Sequence, residues 1–182
     1  MNILDKIVRD KRLEVDLRKS IIPTSQLEAS VLFNREIVSL AQNLRQSNSG
    51  IIAEHKRRSP SKSIINHDLN VQDVASGYEK SGVCGMSVLS DGKYFGGSLD
   101  DVLVARASCN LPILRKEFII DEYQIYESKV YHADVILLIV SVLSDDQLRK
   151  FIEIANDLKL DCIIETHDEQ EIKRAIKLNY PI

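Results

Sequence analysis

From residue 51 onward, short apolar runs alternate with longer segments in which apolar residues recur every three or four positions. The runs IIAEH (51–55), GMSVLS (85–90), PILRK (112–116), DVILLIV (134–140) and DCIIET (161–166) each predict a strand. The periodic segments near 71–81, 98–108, 121–131, 144–158 and 168–178 predict amphipathic helices. Ser144-Asp145-Asp146 and Thr166-His167-Asp168 supply helix N-terminal signals just ahead of two of them. Apolar strands alternating with helices make a parallel sheet covered by helices, so the fold class is α/β. Two architectures satisfy the pattern. An open doubly wound sheet needs only five strands, whereas a complete (β/α)8 barrel runs to ~250 residues. Periodicity alone leaves both open.

The first 48 residues read differently, as a helical extension ahead of the α/β part at 49–182. Ile3, Leu4, Ile7, Val8, Leu13 and Val15 lie among charges with helical spacing over residues 2 to about 19. Pro23-Thr24 opens a second helix with Leu27, Val31 and Leu32 on its apolar side. Ile37, Val38, Leu40, Ala41 and Leu44 predict a third, closed by QSNSG at 46–50.

Composition narrows the function classes. The chain of 182 residues is 44% hydrophobic and 28% charged with net charge −3, ordinary for a globular protein. Neither a basic face for nucleic acid nor an anionic-membrane anchor is suggested, and no apolar run approaches the ~20 residues of a membrane span. Cys84, Cys109 and Cys162 are odd in number and form no C-x-x-C pair, so they read as reduced core residues of a cytoplasmic protein. The four histidines, His55, His67, His132 and His167, have no metal-ligand spacing, so no metal is expected.

Chemistry concentrates where strands end, because parallel α/β proteins collect functional groups at the C-terminal ends of strands. The first strand ends in Glu54 and Lys56, the third in Lys116 and the fifth in Glu165. Glu54 and Lys56 are two apart and leave the same face of the strand. Two lysines and two glutamates facing one space suit general acid–base chemistry, with burial and mutual charge drawing a lysine pKa down and a glutamate pKa up. The plainer alternative is that each is only a strand's exit into solvent. His55 points the other way and is expected to pack or hydrogen-bond toward a helix. Arg57, Arg58 and Lys62 fit either an anion-binding loop or a solvated basic one. In DGKYFGGS (91–98), Gly96-Gly97 fits a close backbone approach, and Tyr94-Phe95 is costly to leave exposed. Arg115 and Glu117 are expected to point away from the site, paired with neighbours.

The run IIAEHKRRSPSKS resembles the IAE-x-K-x-x-SPS signature of the indole-3-glycerol-phosphate synthase family. MSVLSDGKYFGGSLDDV, LPILRKEFIIDEYQIYES, ADVILLIVSVLSDDQL and IIETHDEQE resemble that family's second to fifth strands with their loops, and the helical prefix resembles its N-terminal helices. The resemblance implies a TIM barrel and the decarboxylating ring closure of tryptophan biosynthesis. It implies no cofactor and no metal, with a small phosphorylated molecule as substrate. Residue by residue, it implies Lys116 as the general acid and Glu165 as its acid–base partner. It implies Lys56 on the substrate carboxylate, Glu54 tuning Lys56, Ser59 near the phosphate, and Phe95 and Leu137 walling the aromatic pocket. The isomerase of the preceding step fits less well, since the Glu54/Lys56 pair and the strand-three lysine belong to the synthase pattern.

Departures from the pattern are local, then terminal. Glu117 stands where the family has Asp, Ser63 and His132 where glycine is common, and Asn179-Tyr180 where Gly-Ala precedes strand six. The family's motifs on strands six, seven and eight do not occur, and Gly97 is the last glycine. The expectation is an incomplete barrel of about five βα units, part of a longer protein or complemented by a separate C-terminal chain. Alone, such a chain is expected to be poorly stable, oligomeric or aggregation-prone, because its edges expose backbone and apolar groups.

Overall fold

A computed structural model describes residues 2–178 and Tyr180. Three helices come first: α1 (Ile3–Ile21), α2 (Thr24–Glu28) and α3 (Leu40–Gln46). Then follow β1 (Ile52–His55), α4 (Val71–Lys80), β2 (Gly85–Leu89), the short α5 (Gly92–Phe95), α6 (Leu99–Ser108) and β3 (Ile113–Lys116). The series ends with α7 (Tyr123–Val130), β4 (Val135–Ile139), α8 (Asp145–Asp157), β5 (Asp161–Glu165) and α9 (Glu169–Lys177). The expected start of a sixth strand after Leu178 lies outside the described residues, except for Tyr180.

Strand order separates the two architectures. The sheet runs β1-β2-β3-β4-β5, parallel throughout, with each strand beside its sequence neighbour. A doubly wound sheet reverses its order at a switch point. Sequential order with crossovers of one hand instead keeps every crossover helix on the same side. The two faces agree with that. Ile136, Leu138 and Val140 pack outward with Leu148, Phe151, Ile152 and Ala155 of α8. Val135, Leu137 and Ile139 pack inward with Leu114, Ile52 and Ile163. One face carries helices and the other lines a barrel interior, so the five strands form part of a (β/α)8 wall and the open doubly wound alternative falls.

Side-chain caps set the helix starts, as oxygen acceptors satisfy backbone N–H groups that lack intrahelical partners. Asn70, Ser98, Ser144 and Asp168 each accept from the backbone three residues on, and Ser144 with Gln147 completes a capping box. His132, at a position where the resemblance makes glycine common, sits at φ 63°, in the left-handed region. A non-glycine residue there carries a steric cost of about 1–2 kcal/mol.

The helical prefix departs from expectation in two places. The second helix ends at Glu28, leaving Val31 90% exposed and Leu32 exposed. The third begins at Leu40, not at Ile37. Buried Asp134 claims the intervening backbone: its carboxylate accepts from Val38 N at 3.1 Å and from Arg35 Nη1 at 2.8 Å. Ser39 then caps α3, and Ser39 Oγ and Ala41 N both donate to Asp161 Oδ2 at 3.0 Å. Because Asp161 opens β5, α3 lies across the N-terminal end of the barrel and sends Leu40 into its interior. Helix α1 packs elsewhere, its Val15 joining Leu27 of α2 against Tyr123 and Val130 of α7.

Candidate active site

Period-two alternation brings Glu54, Lys56, Lys116, Leu137 and Glu165 to the inner face at the C-terminal end of the sheet. Together with Leu89, Phe95, Glu117, Phe118 and Ile139 they line one cavity of about 200 Å³. Six of the seven residues singled out from the sequence therefore share one space. The seventh, Ser59, does not line it. Ser59 sits in a tight turn, exchanging backbone hydrogen bonds with Lys62 and approaching Ser61 Oγ at 3.2 Å.

Glu54 is the electrostatic hinge of the group. Its Oε1 lies 2.5 Å from Lys56 Nζ and its Oε2 3.3 Å from Lys116 Nζ. Partial burial acts to raise its pKa, but the Lys56 hydrogen bond and the Lys116 charge prevail and hold it below the ordinary carboxylate value. The sequence-based expectation of a raised glutamate is corrected at this position: two cations on one carboxylate outweigh desolvation. Glu165, across the cavity, is met by His167 Nε2 at 3.2 Å, while His167 Nδ1 lies 3.5 Å from Glu171. All four charged side chains are about one-third exposed, so each keeps hydrogen-bonding capacity toward the open side.

The basic loop after β1 is neither solvated nor free for an anion at its first two positions. Arg57 pairs with Asp101, with Nη2 to Oδ1 at 2.8 Å, and Arg58 Nη2 donates to the Gly92 carbonyl at 2.7 Å. The first tie reaches α6, and the second reaches the segment after β2 that carries Phe95. That segment folds as α5, with Asp91 Oδ1 accepting from Tyr94 N and Phe95 N. Gly96 closes it at φ 69°, and a Cβ on Gly97 would sit 1.8 Å from the Leu89 carbonyl oxygen. The paired glycines thus provide the turn and the close approach that deliver Phe95 to the cavity, its ring 6.0 Å from that of Phe118. His55 is buried on the opposite face, beside α4, with both ring nitrogens unpartnered. Arg115 is fully buried and paired outward as expected, and Glu117, also paired there, borders the cavity as well.

Phe118, Leu89 and Ile139 line the cavity beyond the residues singled out from the sequence, and alternation from Lys116 and Leu137 carries the signal for Phe118 and Ile139. His167, in sequence only part of a helix N-terminal signal, reaches Glu165 in the fold. Among the described residues, no group of three or more His, Cys, Asp or Glu side chains is placed to hold a metal ion. No helix among them is long and apolar enough to cross a membrane.

Residues 4–182 match the family model of indole-3-glycerol phosphate synthase. Curated relatives of that name include one from Bacteroides thetaiotaomicron, 41% identical over 94% of this chain and 66% of its own length. Another, from Acinetobacter baylyi, is 42% identical over 97% of this chain and 66% of its own length. The chain thus spans about two-thirds of the length of these relatives. Among solved structures, MenC from Desulfotalea psychrophila superposes with a TM-score of 0.51 over 76% of this chain and 38% of its own; at 14% identity this is a likeness of fold alone. A sequential parallel barrel wall and a match along nearly its whole length lead to one conclusion: this chain belongs to the indole-3-glycerol phosphate synthase family.

Proposed function

We propose that the chain carries the carboxy-lyase chemistry of its family, closing 1-(o-carboxyphenylamino)-1-deoxyribulose 5-phosphate to indole-3-glycerol phosphate with loss of carbon dioxide and water. One observation supports this above the rest: Glu54, Lys56, Lys116 and Glu165 converge with Phe95 and Leu137 on a single cavity at the strand ends. The aromatic end of the substrate enters between Phe95, Phe118 and Leu137, and its carboxylate competes with Glu54 for Lys56. Lys116, released from Glu54, donates a proton to the ketone oxygen as the ring carbon attacks. Decarboxylation then restores the aromatic ring, and Glu165 works with the lysines as an acid–base partner until water leaves. The substrate's own nitrogen supplies the electrons, so the residues have only protons and charge to manage. Ser59 lies on the loop nearest the phosphate end. Three free cysteines fit a reduced, cytoplasmic setting.

The test is turnover of that substrate, followed by mass spectrometry of the product. Lys116→Ala is expected to lower the rate by about 10²–10⁴-fold, the range of a lost general acid. Equal rates in the variant and the parent chain would remove Lys116 from its role. A second reading is favoured by the two sheet edges: among the described residues, β1 and β5 each pair on one side only. On that reading turnover appears only when a second chain supplying further strands is added, and activity of this chain by itself would overturn it.

A further inference from the structure

Behind the cavity, outside the barrel wall, lies a second group of charges that the proposed chemistry does not use. Lys11 of α1 is 2% exposed, and its ammonium meets three carboxylates: Asp91 Oδ2 at 2.9 Å, Glu117 Oε1 at 3.0 Å and Glu14 Oε2 at 2.8 Å. Burial alone would discharge a lysine, yet these carboxylates hold its pKa above the ordinary value. Its partners are the residues that lead into the cavity. Asp91 caps α5 through Tyr94 N and Phe95 N, and so aims Phe95. Glu117 follows Lys116 directly, and its Oε1 accepts from Phe118 N at 3.0 Å. Ser90 Oγ donates to Glu117 Oε2 at 2.9 Å, joining the ends of β2 and β3. The neighbouring Asp10 adds a further tie, accepting from Lys93 Nζ at 2.7 Å and from the Tyr94 hydroxyl.

We propose that Lys11 is a positioning residue for the site: by clamping Asp91 and Glu117 together it fixes Phe95 on one side of the cavity and Lys116 with Phe118 on the other. Helix α1 is then part of the scaffold that aligns the reacting groups. Such alignment is expected to act on kcat more than on KM, since a small misplacement of catalytic groups costs turnover while contacts to the rest of the substrate persist. This inference rests on the function proposed above for its kinetic arm only.

The experiment compares Lys11→Met, which keeps the buried stem and removes the charge, with Val15→Ala, which weakens the packing of α1 without touching the clamp. Lys11→Met is expected to lower kcat on the order of 10- to 100-fold with KM within about threefold. Val15→Ala leaves kcat within about twofold at temperatures where it stays folded. Amide hydrogen exchange on the same proteins is expected to accelerate at Tyr94, Phe95 and Phe118 in Lys11→Met while α8 stays protected. Should Lys11→Met not fold, Asp91→Asn takes its place, with the same pattern at smaller amplitude. Unchanged exchange at these three amides, or a kcat loss matched by Val15→Ala, overturns the proposal. If the parent chain shows no turnover, the proposed function is what fails, and the exchange arm still decides whether Lys11 holds the two loops.

Discussion

Two clusters of charge lie back to back across the end of β3, and they are built on opposite principles. On the inner face, Glu54, Lys56, Lys116 and Glu165 are partly open to solvent and share few bonds. On the outer face, Arg115 is wholly buried and donates to Ser90 Oγ, Gln124 O, Ser128 Oγ and Glu127 Oε2, the last at 2.8 Å. Glu127 in turn receives Arg18 of α1, and Lys11 is enclosed by three carboxylates. A buried charge with every bond satisfied is rigid, since any movement leaves a desolvated ion without its partner. A half-open charge with spare capacity is free to exchange partners with a ligand. Lys116 and Arg115 are adjacent in sequence, yet alternation sends one to each kind of cluster.

The sharpest way to break this contrast is Arg115→Met, which should destabilise the fold by about 3–5 kcal/mol, as expected when one partner of a buried ion pair is removed. Chemical denaturation followed by circular dichroism reads it, and a shift below about 1 kcal/mol would deny the outer cluster its structural role. A smaller effect is expected from acid. Glu54 has a depressed pKa, so its contribution to stability is complete above the ordinary glutamate value of 4.5 and is lost as pH falls through its lower folded-state value. Denaturation midpoints measured on descending into that range should fall more steeply in the parent chain than in Glu54→Gln. Parallel curves would mean that the lysines do not hold Glu54. The smallest change belongs to Lys116→Ala, whose stability should stay within about 0.5 kcal/mol of the parent even as its turnover collapses. A large loss of stability there would blur the distinction between the two clusters.

Much of the site was legible before the fold was known, because strands translate sequence position into direction with a period of two. Counting puts Glu54 and Lys56 on one face of their strand, Lys116 and Glu165 stand at strand ends, and Leu137 enters only through the resemblance to the family. Phe95 required more, since its segment reads only as a turn or loop; the N-cap from Asp91 and the approach of Gly97 to Leu89 decide where its ring goes. The prefix shows where local pattern misleads. Ile37 and Val38 have helical spacing with Leu40, but a buried carboxylate at Asp134, remote in sequence, draws the Val38 amide out of any helix. Likewise Val31 has the right period for α2 and faces solvent because the helix stops at Glu28.

The sequence by itself determined the order and kind of the five strands and the five longer helices of the α/β part, the shared face of Glu54 and Lys56, and, through its motifs, the family. Those are local properties: period, capping residues and turn chemistry act over a few positions. Periodicity left the strand order open, and the family resemblance implied the sequential order that the sheet has. Only the tertiary structure decided that two cations would prevail over desolvation at Glu54. It alone decided, too, that Lys11 would reach Asp91 and Glu117. These depend on distances between segments far apart in the chain, and electrostatic energies change with separation and burial in ways that no local pattern encodes.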